Sequence, residues 1–194
     1  RIQGSTDIPL NDTGRAQAAA TGRLLARRSW DAVYASPLSR AYETASIIAK
    51  ELELAAPIPV PAIVERAYGD AEGLSDPELS NRFPGDTPVP GRERRSDVVA
   101  RVLPALLELA EAHPDAAIVV VSHGGVIRSV LNVVDPDGAH GAITNGSVHS
   151  LRHDNGTFEL IAFNDPIEAE SLETATATLD EQNAVERRDA EGLA

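Results

Sequence analysis

Four apolar residues, Ile118-Val119-Val120-Val121, run directly into Ser122-His123-Gly124-Gly125 and then Val126-Ile127-Arg128-Ser129-Val130-Leu131. An unbroken β-branched run reads as a strand covered on both faces. The two glycines end it, and the residues after them have helical spacing. The stretch is therefore strand, tight turn, helix, with His123 at the turn. In open α/β sheets, ligands sit beyond the carboxyl ends of the strands. A helix N-terminus placed there offers free N–H groups and a positive dipole end to an anion. Paired glycines also let a bulky oxyanion approach the backbone. Taken alone, His123 reads more simply as the cap of a core strand. Its company elsewhere in the chain changes that reading.

The other elements fit around this unit. Arg1 to Leu10 has no period and reads as loop. Asn11 caps a helix expected from about Asp12 to Arg27. Asp31–Ala35 is a short strand, ended by Ser36-Pro37. A helix follows, with Ala41, Ala45, Ile48, Ala49 and Leu52 on one face. Residues 57–63 carry three prolines and make an edge strand at best. Residues 64–91 are loop, with one short helix near Asp76–Arg82. Arg92–His113 is the longest helix, facing the core with Val98, Val102, Leu103, Leu106, Leu107 and Ala110. The central strand and a Val126–Val134 helix come next. Ser147–Arg152 and Thr157–Phe163 alternate around Asp154-Asn155-Gly156, a hairpin. This order predicts a three-layer α/β/α domain over residues 1–165, its mostly parallel sheet ending in the antiparallel hairpin. Residues 166–194 read as an acidic tail outside the core.

Composition narrows the function classes. With 194 residues, the chain can bury a real core. It has no Cys, which excludes disulfides, thiolate metal sites and Cys nucleophiles. It has no Met, so further residues are expected before Arg1. No apolar run approaches a membrane span and no signal-peptide pattern is visible, so a cytoplasmic protein without membrane contact is expected. Net charge is −13, which argues against nucleic acid. Asp165–Ala194 holds nine acidic residues and two arginines, so −7 of that charge lies in the last thirty residues. An anionic substrate therefore needs a local cluster of Arg and His.

Four pieces supply such a cluster. They are Ser36-Pro37-Leu38-Ser39-Arg40-Ala41 just past a strand end, and Glu65-Arg66-Ala67-Tyr68-Gly69-Asp70-Ala71-Glu72-Gly73-Leu74. The others are Pro90-Gly91-Arg92-Glu93 at the long helix, and Ser122-His123-Gly124-Gly125. In this order and spacing the chain, from Arg1 to about Asn164, resembles the histidine phosphatase superfamily, the phosphoglycerate-mutase-like family. His-Gly-Gly also occurs in lipase-like oxyanion turns, but no G-x-S-x-G accompanies it here.

The resemblance implies a phosphoglycerate-mutase-like fold and a phosphatase acting on a small phosphomonoester through a phosphohistidine. It implies neither metal nor cofactor. Phosphoglycerate mutase and a non-catalytic phospho-ligand binder remain the alternatives, and a homodimer is left open. Arg40 is implied to grip phosphate oxygens, for which a guanidinium fork is suited. His123 is implied as the second phosphate-contacting histidine, with the Gly124 N–H helping. Glu65 is implied as the proton donor, which needs its proton held more tightly than in a free Glu. Gln3 and Gly4 match a loop that reaches the substrate. Glu72 matches a second, structural Glu, and the helix dipole suffices to explain Glu93. The family's nucleophilic His lies in an Arg-His-Gly motif that this sequence does not contain. His113, His140, His149 and His153 read as surface or strand histidines. Arg92, Arg94 and Arg95 either select a second anionic group or form a solvated helix start. Only seventeen residues, Gly73 to Val89, separate the Glu65 motif from Pro90, which implies an open, water-accessible site.

Overall fold

The computed structural model describes residues 1–165 and 167; the expected acidic tail lies, apart from Ile167, outside the described residues. Three parallel strands make one sheet, in the order β2 (Ile58–Pro59), β1 (Ala32–Ala35), β3 (Ile118–Val121). The middle strand is β1, paired with β3 from Ala32↔Ile118 to Ala35↔Val121. This corrects the expectation that Ile118–Val121 is the central strand; the expected cover on both faces is present, over Val119 and Val121 on one side and Val120 on the other. All four of its residues are only half-buried, because among the described residues β3 pairs along one edge alone. The pairing of β2 covers two residues. Pro59, flanked by Pro57 and Pro61, has no N–H to donate, which confines the segment to a sheet edge.

Helices cover both faces. Helix α2 (Ser39–Glu51) packs Ala45 and Ala49 against Val33 and Ala35 of β1, with Val119 and Val121 of β3 on the same side. These small side chains let the helix approach the sheet closely. Helix α1 (Asp12–Leu25) lies against α2 and is capped by Asn11, whose Oδ1 accepts the Gly14 N–H at 2.8 Å. On the other face, α4 (Arg95–Ala112) and α5 (Gly124–Val134) bring Val98, Val102, Val126 and Val130 against Ile63 and Val120. The short α3 (Asp76–Arg82) begins with a capping box between Ser75 and Glu78. Strands β4 (Ser150–Asp154) and β5 (Thr157–Ala162) form the hairpin, turning through Asn155 and Gly156 at φ 47° and 77°. It is a separate two-stranded sheet, not a continuation of the parallel one.

A cavity of about 1120 Å³ touches all four residues of β3, Ala18 and Leu25 of α1, Val126 and Val130 of α5, and Ser150–Arg152. It reaches the carboxyl end of the sheet, where Arg40, Glu65, His123, Gly124 and Gln3 also line it.

Candidate active site

The register of the sheet builds the site. Ala35 and Val121 are partners, so β1 and β3 end level. The chain then leaves β1 through Ser36-Pro37-Leu38 into α2, and leaves β3 through Ser122-His123 into α5. Ser36 and His123 therefore meet: His123 Nε2 lies 2.7 Å from Ser36 Oγ. His123 is 8 % exposed and Ser36 fully buried. Burial, then the charges of Arg40 and Arg101, push the His123 imidazole down from 6.5 to about 3. It is neutral at physiological pH and acts as a hydrogen-bonding dipole.

Arg40 stands in the first turn of α2. Its Nη1 donates to Thr6 O at 2.8 Å and its Nη2 to Gly4 O at 2.7 Å. Burial lowers its proton affinity, against the opposing charges of Glu65, Asp7 and Glu72. The loop it grips is held from two other sides. Asp7 accepts the Ser39 N–H and hydroxyl at 2.8 and 2.7 Å. Glu72 accepts the N–H groups of Ser5, Thr6 and Tyr68 and the hydroxyls of Ser5 and Thr6. These bonds hold the Glu72 carboxyl below its ordinary value despite the opposing effect of burial, the largest single influence. Gly4 sits at φ +57°, where a Cβ would run into the Glu72 carboxylate. Gln3 lines the cavity; Gly4 is buried beneath the loop and serves through its carbonyl.

Glu65 is 3 % exposed and seated on the N-terminus of α5. Its Oε1 accepts from Arg66 N at 2.7 Å and Val126 N at 3.2 Å, and its Oε2 from Gly125 N at 3.2 Å. The helix start read from sequence as an oxyanion cradle thus holds this carboxylate at two of its N–H groups. Gly124, one position earlier, lines the cavity. The segment carrying Glu65 is clamped from outside. Arg101 of α4 pairs with Glu93 through Nε at 2.8 Å and Nη2 at 3.1 Å, and donates to the Ala62 and Glu65 carbonyls. Glu93 also accepts the Ala67 N–H at 3.2 Å. Glu93 is thereby a structural partner of Arg101.

Arg40, Glu65, His123, Gln3 and Gly124 therefore share one cavity, which Arg92, Arg94 and Arg95 do not line. Arg94 forks onto Asp97 at 2.9 Å on the exposed helix start. Arg92 lies over the Tyr68 ring at 5.9 Å. Among the described residues, no group of three or more His, Asp or Glu is placed to hold a metal, and no helix is long and apolar enough to cross a membrane. Sequence reading missed two parts. Ser36 was only the first letter of a motif, and its contact depends on the level ends of β1 and β3. Arg101 lies eight residues from Glu93, which precedes the helix, so no i,i+4 spacing announces the pair.

Comparison with known proteins gives one consistent answer. Residues 1–166 match the model of the histidine phosphatase superfamily (branch 1). A phosphatase of Bacillus subtilis designated PhoE, described as uncharacterized, is 38% identical over 140 residues, 71% of this chain and 72% of that protein. A 2,3-bisphosphoglycerate-dependent phosphoglycerate mutase of Methylobacterium is 34% identical over 149 residues, 68% of this chain and 71% of the mutase. Among solved structures, mycobacterial glucosyl-3-phosphoglycerate phosphatase superimposes with a TM-score of 0.75 at 28% identity, covering 84% of this chain and 90% of that one.

Proposed function

For a chain that belongs to the histidine phosphatase superfamily (branch 1), we propose the hydrolysis of a small phosphomonoester through a phosphohistidine, without a metal. The observation that carries this reading is that Arg40, His123 and Glu65 come together where the cavity reaches the carboxyl ends of β1 and β3, with Arg40 close enough to act electrostatically on both His123 and Glu65. Phosphoryl transfer asks mainly for positioning and for charge compensation on the equatorial oxygens. Arg40 supplies the charge and His123 a directed donor. Its neutral imidazole gains proton affinity once an anion sits beside it. Glu65, held at the start of α5, gives a proton to the leaving oxygen and later takes one from the attacking water. Gln3 contacts the rest of the substrate.

The nucleophile belongs, in this reading, to an Arg-His-Gly segment. The open edge of β3 supports that placement. An extended segment paired there would end beside Val121, next to His123. Hydrolysis is favoured over mutase chemistry by the short Gly73–Val89 connection, which leaves water a path to the site.

The experiment has two stages. Calorimetric titration with inorganic phosphate asks whether the site binds an anion, and Arg40→Ala should abolish the signal. Phosphate release from a panel of phosphomonoesters then separates the readings, with phosphoglycerate interconversion measured alongside. Release that requires an Arg-His-Gly segment placed ahead of Arg1 supports the phosphatase. Interconversion without release would make it a mutase. Binding with neither, even with that segment in place, would make it a phospho-ligand binder.

A further inference from the structure

We propose that Ser36 is a positioning residue that fixes the tautomer of His123, so that Nδ1–H, and not Nε2–H, is the donor offered to the phosphoryl group. The argument is one of accounting for protons. A hydroxyl has one proton to donate and two lone pairs to accept with. Ser36 Oγ already accepts the Leu38 N–H at 3.3 Å and lies 2.7 Å from His123 Nε2. Ser36 is fully buried. Among the described residues, no acceptor other than His123 Nε2 is bonded to its hydroxyl.

Two assignments exist. If Nε2 carried the proton, it would donate to Ser36 Oγ, and the serine proton would be buried with no acceptor. Leaving a buried donor unmade costs its full desolvation. If the hydroxyl donates to Nε2, both bonds are satisfied and Nε2 must be bare. A neutral ring then carries its proton on Nδ1. The ring is neutral because it is buried beside Arg40 and Arg101. Nδ1 has no protein partner among the described residues, and His123 lines the cavity that Arg40 and Glu65 share. Ser36 does not line that cavity. It acts through His123, and the strand register that brings Ala35 level with Val121 holds the two together. The Ser36 N–H donates to Val121 O at 2.9 Å, so the serine backbone is tied to the strand that delivers His123.

The consequence for phosphate rests on the functional reading above; the tautomer does not. The two are separated by measuring each. Long-range proton–nitrogen correlation on protein labelled with 15N-histidine reports which ring nitrogen is protonated, with His123→Asn identifying the signals. The expected result is His123 protonated on Nδ1 in the unliganded wild type. Ser36→Thr, which keeps the hydroxyl, should retain that form. Ser36→Ala should move the ring towards the Nε2–H form that dominates in free histidine. Ser36→Ala should also weaken inorganic phosphate about tenfold, the effect of losing one aligned donor. A wild-type ring protonated on Nε2 overturns the inference, without needing any variant to fold. So does a Ser36→Ala protein with an unchanged tautomer. Failure of the wild type to bind phosphate, with Nδ1 protonated, would instead sink the functional reading and leave the tautomer assignment standing.

Discussion

Gly125 is the position at which the site tolerates least. It is buried in the first turn of α5, where Glu65 presses on the backbone. A Cβ built there would lie 2.8 Å from Glu65 Oε1, 2.8 Å from Tyr68 Oη and 3.3 Å from Arg66 Cβ. Two effects oppose each other in Gly125→Ala. Alanine in a helix interior gains up to about 1 kcal/mol over glycine, and less in a first turn. Against this, ordinary C···O contacts start near 3.3 Å, so the carboxylate must retreat or the helix start must lift. Retreat gives up the Gly125 and Val126 N–H bonds, both 3.2 Å long. At the low end for charged acceptors, these contribute about 1.5 kcal/mol each. The clash therefore wins by about 2 kcal/mol. For a chain of this size that lowers Tm by roughly 4–8 °C.

Urea and thermal unfolding of wild type and Gly125→Ala measure this directly. The cause is isolated by repeating the substitution in a Glu65→Ala background, where at least half the cost should vanish because the carboxylate is gone. A Gly125→Ala protein as stable as wild type, or more stable, would refute the reasoning: helix propensity would then have outweighed the contact. An equal cost in both backgrounds would show that the carboxylate is not seated on the helix start.

Four further outcomes are expected. Arg40→Ala should lower kcat/KM at least about 10²-fold in an active form of the enzyme, since one phosphate-clamping donor supplies a few kcal/mol; a rate within threefold of wild type would remove Arg40 from the chemistry. Glu65→Gln should slow phosphoenzyme formation from an alkyl phosphate far more than from p-nitrophenyl phosphate, whose leaving group hardly needs a proton; equal slowing in single-turnover assays would make Glu65 an orienting group. Glu72→Gln should destabilise the fold by about 2 kcal/mol, because an amide cannot accept all the N–H and O–H donors gathered on the carboxylate; unaltered urea midpoints would show that the Ser5–Thr6 turn stands without it. His149 is pushed down to about 4, chiefly by burial and then by Arg128 and His140. The unfolded chain therefore takes that proton first, and stability should be intact above pH 6.5 and decline as pH falls towards 4. A His149→Gln protein should show a flatter Tm profile across that window, and an identical profile would assign the acid loss elsewhere.

Much of the fold was legible because the periods were strong. Asn11 as a cap marked the start of α1, the Ala41–Ala45–Ile48–Ala49 face gave α2, and Asp154-Asn155-Gly156 gave the turn of the hairpin. What misled was the Ile118–Val121 run. Four β-branched residues read as a strand covered on both faces, which it is, and as the central strand, which it is not. Hydrophobicity reports what a side chain tolerates, not which edges are paired, and the middle place belongs to Ala32–Ala35. The site was legible as residue types: Arg40, Glu65, His123 and Gln3 do share a cavity. Its internal bonding was not. Nothing in the spelling of Gly124-Gly125-Val126 says that Glu65, some sixty residues earlier, takes two of those N–H groups. The Glu65 segment is also bonded by Arg101, at the Ala62 and Glu65 carbonyls, and by Glu93, at the Ala67 N–H, contacts equally invisible in the local sequence.

The charge arrangement explains how a chain of net charge −13 can keep a site for an anion. Arg101 is neutralised locally by Glu93, with which it shares two bonds. Arg40 is surrounded by Glu65, Asp7 and Glu72, all close enough to raise its proton affinity. None of these carboxylates is left loose in the cavity. Glu65 is tied to N–H groups of α5, Asp7 to Ser39 at the start of α2, and Glu72 to the Ser5–Thr6 turn. Each negative charge is thus spent on a backbone donor, while Arg40 bonds only to neutral carbonyls in this loop. A guanidinium bonded to carbonyls can exchange or share them for phosphate oxygens, a stronger charge-assisted pairing. A guanidinium already forked on a carboxylate, as Arg94 is on Asp97, has no such gain to make. The same logic sets Arg40, read from the sequence as the phosphate contact, apart from Arg94 at the α4 start, whose guanidinium is already committed to Asp97.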